Sequence, residues 1–156
     1  MKKLALLTCG FCLFVISAQQ VKAQENFTEG PVWVVNYYRT KPGKFDDYMK
    51  FLRSNFAKVS ARQKQEGIIV DAKVLLNPAV SGPDDWDVAV AYLYSDFGKA
   101  LNFNQADFEK MEKFSAEISR QSDRAKRGDA LDATRFPLRD YIRTRIIREV
   151  TLRPMP

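Results

Sequence analysis

Apolar positions along this 156-residue chain change their period sharply near residue 40. Residues 32–39, VWVVNYYR, alternate, so they predict a first strand. Val32, Val34, Asn36 and Tyr38 fall on one face of it, and Trp33, Val35, Tyr37 and Arg39 on the other. Both faces are largely apolar or aromatic, which is the pattern of a strand covered on both sides. Lys41-Pro42-Gly43 then turns the chain. From residue 44 to 65 the period becomes three and four: Phe45, Tyr48, Met49, Leu52, Phe56 and Val59 form one stripe of an amphipathic helix. Asp46 and Asp47 suit the positive start of that helix, Arg62 and Lys64 suit its negative end, and Gly67 stops it.

The remaining chain repeats the theme. Residues 68–76 and 86–94 predict two further strands, joined by a loop over 77–85 that holds Pro78, Gly82 and Pro83. An antiparallel hairpin is the simplest connection between them. Residues 97–104 leave a short helix and an irregular segment equally open. Residues 105–119 predict a second helix, with Phe108, Met111, Phe114 and Ile118 along one side. Residues 121–137 are charged and weakly patterned; they read as a helical extension broken near Gly128, followed by a loop. Residues 141–152 predict the last strand, with Ile142, Thr144, Ile146 and Arg148 on one face and Tyr141, Arg143, Arg145 and Ile147 on the other. The order strand, helix, strand, strand, helix, strand is that of an α+β, ferredoxin-like β-α-β-β-α-β fold with a four-stranded antiparallel sheet. Two helices cover one face of such a sheet. The other face keeps apolar side chains, and a homodimer is the expected cover.

The opening YYRTKPGKFDDYMKFLR, with its aromatic strand, Lys41-Pro42-Gly43 turn and Phe45, Tyr48 and Leu52, resembles the start of the dimeric α+β barrel proteins. Among these are the antibiotic-biosynthesis-type monooxygenases. The resemblance implies two sheets closed face to face across a dimer, and a cleft between sheet and helices in each subunit. It also implies cofactor-independent oxidation of a flat aromatic or quinone-like compound as one activity of such a cleft. The haem-degrading members use a histidine to hold iron, and this chain has none.

Composition narrows the chemistry further. Lys2 and Lys3, the apolar run 4–16 and Val21-Lys22-Ala23 have the layout of a signal peptide over residues 1–23, so a secreted or periplasmic destination is expected. Residues 24–31 then read as a flexible lead-in and 32–153 as one domain. Cys9 and Cys12 both fall within the leader, leaving a mature chain without thiol chemistry. The formal charge of +6 drops to about +3 once Lys2, Lys3 and Lys22 are removed, which gives little reason to expect a nucleic-acid partner. No other stretch is long and apolar enough for a membrane span. Without histidine there is no Ser-His-Asp arrangement and no histidine-held metal, so no cofactor or metal is expected. The acidic run Asp84-Asp85-Trp86-Asp87 matches no dedicated calcium loop and reads as a solvated turn. Asn26-Phe27-Thr28 forms a glycosylation sequon.

The strand aromatics read either as core and interface or as the lining of an apolar pocket. Asn36, an amide in a central strand, needs partners there. Arg143 is the candidate to hold a carboxylate or oxyanion at the pocket edge. The expected pocket polar groups are therefore Asn36, Tyr38, Tyr92 and Arg143. The function expected is small-molecule binding, with oxidation as one form of it and a non-catalytic or purely structural dimeric module as the alternative.

Overall fold

The computed structural model describes residues 26–155. The expected leader and its cleavage site lie outside the described residues. Strand β1, Phe27–Thr40, is central. Helix α1, Phe45–Phe51, passes through a π-helical turn, Leu52–Phe56, into α2, Ala57–Gln65. Strands β2, Asp71–Leu76, and β3, Val88–Tyr94, follow. Three helices come next: α3, Phe97–Leu101; α4, Gln105–Ser119; and α5, Arg124–Arg135. Strand β4, Arg139–Leu152, closes the chain. The sheet order is β2-β3-β1-β4 and every pair is antiparallel, which is the ferredoxin-like arrangement.

The sheet is open, with β2 and β4 as its two edges. This corrects the expected barrel. The premise behind the barrel was a helix-free face left bare, and the chain covers much of that face itself. Val35, Ala89 and Ala91 are buried there beneath Trp33, Tyr37 and Trp86. The Trp86 ring meets Tyr37 edge-on at 5.0 Å. Trp33 donates its indole N–H to Glu149 at 2.6 Å, and Lys73 Nζ lies 4.9 Å from the Trp33 ring. Small residues below and broad rings above produce a thin apolar layer without a second sheet.

Two sequence features read as breaks are instead accommodated inside regular elements. The expected lead-in joins the sheet: β1 starts at Phe27, which pairs with Leu152. Gly30 and Pro31 sit where the register shifts between Glu29 and Val32, a β-bulge. A Cβ on Gly30 would stand 3.1 Å from the Glu149 carbonyl oxygen, so glycine is needed for that close approach. Gly128 lies within α5 and does not break it. Asp123 starts α5, its carboxylate accepting from the N–H groups of Ala125 and Lys126.

The main core lies between sheet and helices, where Tyr48 and Leu52 pack on Val88 and Val90. The buried or half-buried positions Tyr48, Leu52, Phe56 and Ser60 repeat every four residues. An α-helix turns in 3.6 residues, so a four-residue stripe drifts off the sheet; one wider π turn takes up the drift. Phe56 is thereby held edge-on against Tyr92, with ring centroids 5.6 Å apart. Ile68 and Ile69 precede β2, contrary to the expected start of that strand, and form a second core with Phe114 of α4.

Asp85 and Asp87 of the acidic run are engaged by the fold. Asp85 accepts from the Ser81 and Trp86 N–H groups and from Asn77. Asp87 accepts from the backbone N–H of buried Thr40 at 2.9 Å and from its hydroxyl. Asp87→Ala strands both donors, and equilibrium urea unfolding is expected to show a loss of about 2 kcal/mol with an unchanged m-value.

Candidate functional site

Among the described residues the sheet, α1–α2, α4 and the underside of α5 border an open concavity of about 960 Å³. Its floor is Tyr38 of β1 with Val90 and Tyr92 of β3. Tyr48, Phe51, Leu52 and Phe56 form one wall. Ser115 and Ile118 of α4, with Leu131 and Thr134 of α5, form the other. Arg120 ends α4 in the left-handed conformation, at φ 55°, and so redirects the chain into α5. Helix α5 is tied to α4 by charge: Glu112 pairs with Arg127, whose side chain is almost fully buried, and with Arg124 at 3.5 Å. The Arg127 guanidinium also donates to the carbonyls of Gln121 and Ser122.

Three tyrosines give the cleft its character. The Tyr38 ring lies 6.2 Å from Tyr48 and 6.1 Å from Tyr141, tilted edge-on in both cases. Burial pushes the phenols of Tyr38, Tyr48 and Tyr92 upward from the ordinary 10.0, and the neighbouring Arg139 and Arg135 oppose that shift without cancelling it. All three therefore remain protonated hydrogen-bond donors at neutral pH.

Of the four expected site residues, Tyr38 and Tyr92 line the cleft. Asn36 shares their sheet face but points its polarity sideways: its amide oxygen accepts from the Thr144 hydroxyl at 2.6 Å, which in turn meets the Tyr141 hydroxyl at 2.9 Å. Its amide oxygen is thus engaged across the strands by β4. Arg143 is on the sheet face opposite to Tyr38 and Tyr92. Along β1, Tyr37 pairs with Arg143 but Tyr38 pairs with Tyr141, so β4 carries one extra residue, Ile142. That bulge reverses the alternation. Arg143 is sent over Tyr37 on the helix-free side, 5.7 Å from its ring. Arg139 and Tyr141 are sent to the cleft side. Arg139 is the residue the sequence reading passed over: its guanidinium lies 3.5 Å above the Tyr38 ring and 5.5 Å from the Tyr48 ring. Arg135 joins it through the turn in which the Leu138 N–H donates to the Arg135 carbonyl. The visible sequence clue was only that four arginines crowd residues 139–148.

No family model and no curated protein matches the chain. A solved EthD-like protein from Ralstonia eutropha JMP134 is similar over 80% of this chain and 92% of that one, at 17% identity and a TM-score of 0.36. So distant a likeness carries no functional argument. The monooxygenase reading drawn from the opening residues is corrected accordingly: the barrel on which it rested is absent, and the cleft's phenols are shifted away from acting as bases. Its one carboxylate, Glu112, is engaged by two arginines. Among the described residues no three metal-binding side chains converge, and no helix is long and apolar enough to cross a membrane.

The raised phenols link stability to alkaline pH. Below about pH 10 folded and unfolded chains hold these protons alike, and the stabilisation is fully present. Above it the unfolded chain releases them first, so stability falls as pH rises. Denaturant unfolding between about pH 8 and 11.5 is expected to show this fall, and Tyr92→Phe is expected to reduce the slope by up to about 1.4 kcal/mol per pH unit.

Proposed function

We propose that the protein is a small-molecule-binding module that receives a flat, largely apolar compound in the cleft beneath α5. The observation that carries this reading is the lining. Aromatic and aliphatic side chains form the floor and much of the walls of a concavity large enough for a drug-sized compound, with phenol donors to orient it. Among the described residues the hydroxyls of Tyr38 and Tyr92 make no hydrogen bond, and both side chains line the cleft, while Tyr48 is buried in the wall behind them. A filled core would have closed this space with side chains. The neutral dye N-phenyl-1-naphthylamine is expected to bind saturably with enhanced fluorescence. Ser115→Trp, which puts an indole into the cleft, is expected to abolish that binding while leaving the thermal midpoint within a few degrees. Equal dye binding by both proteins rejects the cleft as the site.

A second reading concerns self-association, and β4 supports it. This edge strand is fourteen residues long and exposes Ile146, Ile147, Val150 and Leu152. A long edge with apolar side chains favours pairing with another copy of the chain. Sedimentation equilibrium is expected to show a homodimer that Ile147→Lys dissociates without unfolding the subunit. A monomer at high concentration removes this reading.

A further inference from the structure

We infer that the compound held in the cleft carries an acidic group, and that Arg139, assisted by Arg135, receives it. This inference rests on the cleft being a binding site, as proposed above, and adds the charge of the ligand.

The charge balance of the cleft is one-sided. Seven lysine and arginine residues line it, against the single carboxylate of Glu112. Glu112 is already satisfied by Arg127 and Arg124. Two of the seven, Arg139 and Arg135, stand beside the tyrosines. Arg139 lies half-buried against Tyr38, and its Nε is sealed from solvent without a hydrogen-bond acceptor. The Nε of Arg135 is in the same condition. The one nearby carboxylate on β4, Asp140, is turned to Lys41 at 3.6 Å instead. Asp132 engages only the far end of Arg135, at 2.5 Å. Among the described residues Arg139 has no carboxylate partner.

A guanidinium removed from water without a counter-charge is unfavourable unless something compensates. Stacking on Tyr38 compensates in part, and it also fixes the plane of the fork. A fixed planar fork is the geometry that recognises a carboxylate, sulfonate or phosphate through two parallel hydrogen bonds. The protonated phenols of the floor, Tyr38 and Tyr92, are donors as well, so the floor offers hydrogens to an acceptor. The ligand class that fits is a flat apolar body bearing one anionic group.

Two dyes with the same ring system separate the charge from the shape. 8-Anilinonaphthalene-1-sulfonate carries the acid group, and N-phenyl-1-naphthylamine lacks it. The signal counted is the part that Ser115→Trp removes, so that surface binding is excluded. Arg139→Met is expected to weaken the sulfonate dye about tenfold or more while changing the neutral dye less than about twofold. Arg139→Lys is expected to recover part of the loss, since the charge returns without the fork. In the unaltered protein, raising salt from about 20 mM to about 500 mM is expected to weaken the sulfonate dye selectively; this arm needs no variant to fold. Equal weakening of both dyes by Arg139→Met, or no effect on either, overturns the inference. So does binding of the neutral dye alone by the unaltered protein. Failure of both dyes to bind that protein rejects the cleft itself.

Discussion

One extra residue in an edge strand decides which side chains meet in this protein. Side chains on a strand alternate, so a pairing that holds register throughout assigns every residue to a face in advance. Ile142 breaks that assignment. On one side of it Arg143 and Arg145 face away from the helices; on the other side Arg139 and Tyr141 face toward them. Without the bulge, Arg139 would lie on the helix-free surface, and the phenols of Tyr38 and Tyr48 would lack the cation that stands over them. The cleft's electrostatics thus come from a backbone irregularity as much as from composition.

A second irregularity shapes the apolar side of the same space. The wall residues of the first helix repeat every four positions, a spacing that neither a pure α-helix nor a pure π-helix sustains. One π turn between two α segments averages the two. The result keeps Tyr48, Leu52 and Phe56 facing the sheet along the full depth of the cleft. Bulge and π turn both add a residue to a regular element, and both adjoin the cavity.

The sequence made the order of elements and most of the central core legible. Val32, Val35, Tyr48, Leu52, Val88 and Phe114 are buried and all lie in predicted elements. Where it misled, the cause was local. Gly30-Pro31 read as a loop because a bulge inside a strand uses the same residues. Gly128 read as a break because its cost to a helix is about 1 kcal/mol, which the Asp123 cap and the Arg127–Glu112 pair offset. Arg139 was passed over because it lies ahead of the predicted strand 141–152, and Arg143 was assigned to the face of Tyr141 because period-two counting cannot register an inserted residue. The barrel was inferred from apolar strand faces, yet Trp33, Tyr37 and Trp86 lie over Val35, Ala89 and Ala91 and answer much of that requirement within one chain. A cleft between sheet and helices was expected from the resemblance, but the part of its lining that α5 supplies was not legible, since it depends on how far α5 stands off the sheet.

That stand-off has an evolutionary side. Helix α5 has no fully buried residue, yet it lines much of the cavity, so its sequence is nearly free of the demands of the hydrophobic interior. Away from Arg127, substitutions along it can reshape the cavity at little cost to folding. The sheet and the first helix hold the shape constant, and the roof is the part left free to vary.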